Sequence, residues 1–101
     1  MKLGFTTWNY EEEIVEGKAD IFSLMQLARD LGFEAIEIMG YHLADIEDAY
    51  LDRVKRRAAE LGLAICALDA RNMSFGGRWF QLRQDVAAIK FWTQAAAKLG
   101  C

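Results

Sequence analysis

Three glycines at the same kind of position constrain how this chain can fold. Gly32, Gly62 and Gly100 each follow a leucine at the end of a segment with the apolar spacing of an amphipathic helix. A glycine just beyond the last helical turn adopts a left-handed conformation that a side chain disfavours. The first two glycines precede apolar runs typical of buried strands. The sequence therefore predicts repeated strand–helix units, with Gly100 and Cys101 predicting the start of a fourth strand.

The segments between these glycines predict an α/β fold with parallel strands. Strands are predicted at residues 2–8, 33–39 and 64–70. Asp20 is predicted to cap the first helix, and Asp45 or Asp48 the second. The last helix, from about Leu82 to Leu99, carries apolar residues on more than one stripe, which is typical of a helix with neighbours on two sides. We expect residues 1–101 to form one domain or part of one.

The connections from strand to helix are the longer ones, and they contain the unusual residues. In parallel α/β folds, ligands bind beyond the carboxyl ends of the strands, where these connections gather. We therefore expect the functional face at residues 8–17, 39–45 and 71–79. The run Glu11-Glu12-Glu13 is predicted to lie there in a solvated loop.

Composition argues against several classes of protein. A net charge of −3 gives no positive field for a nucleic acid. Charges interrupt every long apolar stretch, so no membrane-spanning helix is predicted. A strand pattern at the start in place of a secretory leader indicates a cytoplasmic location.

Cys66, inside a predicted strand, and Cys101 are expected to be unpaired thiols, and Cys66 is expected to have a structural role. The basic residues within 53–57 are expected on a solvated helix face.

Several runs together resemble a known family. Lys2–Trp8, Leu31–Ile38 and Leu61–Leu63, the last leading into Ala67–Asn72, are similar in order and spacing to the xylose-isomerase-like TIM barrels. These include sugar phosphate isomerases and epimerases, and they are related to an apurinic-site endonuclease. The similarity covers essentially the whole chain, which corresponds to the first three strand–helix units of a (β/α)8 barrel.

The resemblance implies an enzyme that moves a proton at the carbon next to a sugar carbonyl with the help of a divalent metal ion. It also implies that later strands supply the metal ligands, so we assign no catalytic or metal-binding residue within residues 1–101 and expect this segment alone to be inactive. Many members carry histidine followed by asparagine at the end of the third strand. Here the matching residues are Arg71 and Asn72, and Asn72 is a candidate substrate contact.

Glu37 is the most informative polar residue, because it lies between Ile36 and Ile38 in a strand predicted to be covered by helices. Alternation along the strand points Glu37 into the barrel, near the ligand-binding end. A carboxylate there must be paired, hydrated or in contact with a ligand. Two interpretations remain open. Glu37 binds substrate or a cation on a later strand, or it belongs to a structural buried ion pair.

Other residues of the expected functional face also allow two interpretations each. His42, the only histidine, either contacts substrate or maintains the loop, and no Cys, His, Asp or Glu cluster has metal-ligand spacing. Trp8 and Tyr41 either form a platform for a sugar ring or belong to the core. Asp69 either pairs with Arg71 or faces the pocket.

Three functional hypotheses follow. The leading one is the N-terminal part of a sugar or sugar phosphate isomerase or epimerase. The alternative is a non-catalytic α/β module that completes its sheet by self-association, because three parallel strands leave two unpaired edges. A phosphodiesterase resembling the apurinic-site endonuclease is a weaker alternative, since such chemistry needs several histidines and usually a basic groove.

Overall fold

The computed structural model describes the backbone of residues 4–69 and 79–101. It shows an α/β fold in which three parallel strands alternate with helices in an open sheet of order β1-β2-β3. The strands are β1 (Gly4–Thr6), β2 (Ala35–Met39) and β3 (Ala64–Asp69). The α-helices are α1 (Glu11–Val15), α2 (Ile21–Asp30), α3 (Asp48–Glu60) and α4 (Trp79–Leu99), and 3-10 helices cover Thr7–Tyr10 and Gly40–His42. The prediction of parallel strands alternating with helices is confirmed.

The three helix-ending glycines have the predicted left-handed conformation, with φ of +87° at Gly32, +68° at Gly62 and +84° at Gly100. At Gly32, the glycine N–H donates to the Arg29 carbonyl at 3.0 Å and the Phe33 N–H donates to the Ala28 carbonyl at 2.9 Å. The same two hydrogen bonds recur after α3 and α4. This is the Schellman motif, which pairs carbonyls that a helix end leaves free.

Replacing Gly32 by alanine is expected to lower the free energy of unfolding by about 1–2 kcal/mol, because the left-handed conformation brings Cβ close to the following carbonyl oxygen. A Cβ at Gly32 meets no atom of another residue within 4 Å, so the cost comes from the backbone alone. Gly4→Ala is the control, because its Cβ also meets open space but its φ is not positive. Urea unfolding measures both variants, and equal losses of stability would contradict this explanation.

The predicted cap of the first long helix is confirmed, and that of the next is wrong. Asp20 Oδ1 accepts a hydrogen bond from the Ser23 N–H at 2.7 Å, and Ser23 Oγ accepts one from the Asp20 N–H at 2.9 Å. Helix α3 instead has Glu47 at its N-cap without a side-chain hydrogen bond. Asp45 caps the preceding turn by accepting from two successive backbone N–H groups, and Asp48 is already helical.

The segment after β1 is helical, so the prediction of a solvated loop for Glu11-Glu12-Glu13 is wrong. These residues form the first turn of α1, where carboxylates interact favourably with the positive end of the helix dipole. The preceding 3-10 helix begins at Thr7, and Thr6 Oγ1 accepts a hydrogen bond from the Trp8 N–H at 3.3 Å. The first strand is therefore shorter than predicted.

The hydrophobic core lies between one face of the sheet and the long helices. In register across the three strands, Phe5, Ile36 and Ile65 are all buried. Burying such side chains contributes about 1.5–3 kcal/mol each. The helices contribute the following buried residues: Ile21, Leu24, Met25, Ala28, Leu51, Val54, Ala58, Ala95 and Leu99. Since side chains alternate along a strand, Thr6 and Glu37 lie on the opposite face of the sheet.

The second apolar stripe of α4 is exposed. Ala95 and Leu99 are buried in the core, whereas Val86, Ile89 and Phe91 are each about two-fifths exposed. The structure thus shows a neighbour for one of the two predicted stripes among the described residues. No helix in the described ranges is both long and apolar enough to cross a membrane.

The two cysteines are unpaired, as predicted, but Cys66 is exposed rather than buried. Ile36 pairs with Ile65 and Glu37 pairs with Ala67, so the register skips Cys66 at an irregularity in the edge strand. Such a bulge changes the alternation on which the prediction of a structural thiol depended. Partial burial raises the pKa of the Cys101 thiol, and the neighbouring Cys66 thiol raises it further.

Candidate functional site

An open pocket of about 280 Å³ lies at the carboxyl ends of the strands. It is lined by Thr6 from the end of β1, Trp8 from the following turn, Glu37 and Met39 from β2, and Asp69 from the end of β3. This is the face on which the sequence analysis expected the functional residues. All three strands contribute to the pocket, and parallel α/β folds bind their ligands at this end of the sheet.

The register of the sheet explains why these side chains share one face. Thr6 pairs with Glu37, and Met39 pairs with Asp69. Glu37 and Met39 are two residues apart on β2, so they lie on the same side of the sheet, opposite Ile38 in the core. The side of the sheet that faces away from the core therefore supplies the polar wall of the pocket.

Glu37 is half-buried in this wall. Among the side chains that the structure describes, those of residues 4–69 and 86–101, none forms a hydrogen bond or ion pair with its carboxylate. A half-buried carboxylate needs hydrogen-bond donors from water or a ligand, because removing a charged group from water without a partner costs free energy. The described part of the chain thus offers a free acceptor at the pocket and no partner for the structural ion pair.

Of the two aromatic candidates, one lines the pocket. The Trp8 side chain is 42% exposed and lies beside Thr6 in the pocket wall. Tyr41 is equally exposed, but its ring contacts the His42 ring edge-on, with centroids 4.4 Å apart. Tyr41 does not line this pocket, so Trp8 remains the candidate platform.

His42 is buried within a chain of polar contacts that joins four elements, namely the two 3-10 helices, α1 and β2. Its side chain is 2% exposed, with Nδ1 at 2.9 Å from Thr7 Oγ1 and Nε2 at 3.3 Å from Glu11 Oε1. Thr7 is fully buried and its Oγ1 also accepts a hydrogen bond from the Met39 N–H at 3.0 Å. The structure therefore places His42 outside the pocket lining, where it connects β2 to the helical segment that carries Trp8.

The hydrogen bonds assign the tautomer of His42. Since Thr7 Oγ1 accepts from the Met39 N–H, its own proton is free to be donated to Nδ1. The proton of the neutral ring then resides on Nε2 and is donated to Glu11. We expect nitrogen-15 NMR to show the Nε2–H tautomer in the neutral form of the ring. A predominant Nδ1–H form would contradict the assigned direction of the chain.

Asn72 lies outside the described residues. Asp69 lines the pocket, which favours the second of its two interpretations. Sequence reasoning did not single out Thr6, Thr7 or Met39, although the two-residue spacing of Glu37 and Met39 along one strand is a usable signal for the latter. Among the described residues, no group of three or more His, Cys, Asp or Glu side chains could hold a metal ion.

No protein-family model matches the chain, and no curated protein shows significant similarity to it.

Proposed function

We propose that the chain forms the N-terminal three strand–helix units of a (β/α)8 barrel that isomerises or epimerises a sugar or sugar phosphate. The pocket at the carboxyl ends of β1, β2 and β3 is the observation that carries this proposal, because it combines an aromatic side chain, a hydroxyl and two carboxylates. Sugar hydroxyl groups and C–H faces are complementary to such a lining.

The order of the three described strands agrees with a barrel and differs from the flavodoxin-like order, in which the first strand lies between the second and the third. In a barrel, each strand lies beside the strand that follows it in the chain, and the order β1-β2-β3 agrees with this. The classic dinucleotide-binding sheet begins with the same three-strand order and departs from it only at its fourth strand. Within the described residues, the outer edges of β1 and β3 are unpaired, as they are in a barrel whose further strands are supplied elsewhere.

The pocket residues have binding roles in this proposal. Glu37 accepts hydrogen bonds from substrate hydroxyl groups, and Trp8 covers one face of the sugar. In this proposal the proton-transfer groups and the ligands of the divalent metal ion are supplied by later strands of the complete barrel. Unpaired thiols fit the reducing cytoplasm, which is the location we propose.

A non-catalytic module that self-associates is the second candidate. The exposed Val86, Ile89 and Phe91 on α4 favour it, as do the unpaired edges of β1 and β3. Such a module requires a homo-oligomer in solution. The endonuclease-like function has less support, since His42 is buried and bonded at both ring nitrogens and the net charge is −3.

Exchange of substrate hydrogen with solvent tests the proposal. Protein purified from its source cells is incubated in D₂O with Mg²⁺, Mn²⁺ or Co²⁺ and a panel of ketoses and their phosphates. We expect deuterium to enter the carbon next to the carbonyl of at least one substrate, and chelation to abolish the exchange. No exchange, together with sedimentation as an 11.5-kDa chain assembled into oligomers, would instead support the self-associating module.

A further inference from the structure

We infer that the pocket lined by Thr6, Trp8, Glu37, Met39 and Asp69 binds the uncharged, hydroxyl-bearing end of the ligand and excludes a phosphate group. This inference rests on the proposed function, and it specifies which end of the substrate these strands hold. A substrate that carries a phosphate binds with that group away from β1, β2 and β3.

The charge of the lining is the first argument. Two of the five lining residues, Glu37 and Asp69, are carboxylates on adjacent strands, and the described residues add no cation to the wall. A phosphate dianion in a pocket of about 280 Å³ would lie close to both carboxylates. Like charges at such short range repel, and the half-buried Glu37 is screened less by solvent and salt than the exposed Asp69.

The hydrogen-bonding groups are the second argument. An ionised carboxylate can only accept, and a threonine hydroxyl can accept as well as donate. Sugar hydroxyl groups donate to such acceptors, whereas the dianion of a sugar phosphate ester has no proton to offer and inorganic phosphate dianion has only one. The exposed ring of Trp8 adds an apolar surface for the C–H groups of a sugar.

The nearby backbone donors are the third argument. Phosphate sites in α/β folds commonly use free N–H groups at the start of a helix after a strand. Here the Trp8 N–H, after β1, donates to Thr6 Oγ1 at 3.3 Å. The Met39 N–H at the end of β2 donates to Thr7 Oγ1 at 3.0 Å. Both donors are therefore already paired and do not point into an anion site.

NMR titration of the isotope-labelled complete protein with D-fructose and with inorganic phosphate tests the inference. We expect fructose to shift the Trp8 indole N–H and Met39 methyl signals, and equal concentrations of phosphate to leave them in place. Glu37→Gln should weaken fructose binding about tenfold, since it removes a charged hydrogen-bond acceptor. Glu34→Gln is the matched control, because Glu34 is exposed just before β2 and is not in the lining.

The possible results separate the inference from the proposed function. If phosphate shifts these signals at lower concentration than fructose, the inference is overturned while the pocket remains a ligand site. Fructose binding that Glu37→Gln and Glu34→Gln affect equally would also overturn it. If neither probe shifts the signals, the inference fails, and the deuterium-exchange assay decides separately whether the protein is an isomerase or epimerase.

Discussion

Replacing Thr7 by valine is expected to lower the free energy of unfolding by about 2–4 kcal/mol, because two buried polar groups lose their partner. Thr7 is fully buried. Its Oγ1 accepts from the Met39 N–H at 3.0 Å and lies 2.9 Å from His42 Nδ1. Valine has nearly the same shape as threonine, so the loss reports on hydrogen bonding rather than on a cavity.

Urea unfolding of Thr7→Val beside Thr7→Ser measures this effect. Serine keeps the hydroxyl and loses one buried methyl group, so we expect a loss of about 1 kcal/mol for that variant. The valine variant should also change the nitrogen-15 signals of the His42 ring, since Nδ1 loses its donor. If Thr7→Val is as stable as the unmodified chain, the polar chain does not hold these elements together.

The second large effect is expected at Glu37. In the complete enzyme, Glu37→Gln should lower kcat/KM by about tenfold or more, because a charged hydrogen bond to the substrate is replaced by a weaker neutral one. The free energy of unfolding should change little, since the described residues contain no partner of this carboxylate. The interpretation as a substrate contact and the interpretation as a buried ion pair therefore predict different results.

Steady-state kinetics and urea unfolding of Glu37→Gln and Glu34→Gln distinguish the substrate contact from the buried ion pair. Glu34→Gln is the same chemical change at an exposed position near the other end of the strand, and it should leave both quantities unchanged. Unchanged kinetics with a large loss of stability in Glu37→Gln would establish the structural ion pair instead.

The predictions from sequence are most accurate where a single residue determines the local geometry. A glycine after an amphipathic segment ended the helix at Gly32, Gly62 and Gly100, because only glycine adopts that conformation without strain. Asp20 was recognised as a cap for a similar reason. Where several acidic residues compete, as at Asp45, Glu47 and Asp48, a local pattern cannot choose among them.

Other differences between the predictions and the structure arise at a very short helix and at contacts between residues far apart in the sequence. The segment at Glu11–Val15 is too short to be identified as a helix from propensity alone, since isolated short helices are marginal. Thr7 and His42 are 35 residues apart, so no local pattern indicates their hydrogen bond. In the pocket, Glu37 was predicted from strand alternation and Met39 could have been predicted in the same way, but Thr6 could be assigned only after the register of the sheet was known.

The intact mass of the protein purified from its source cells tests most directly whether β1, β2 and β3 belong to a larger barrel. We expect a mass well above 11.5 kDa, near that of a barrel of about 250 residues. A mass of 11.5 kDa would contradict the barrel and favour the module that completes its sheet by self-association.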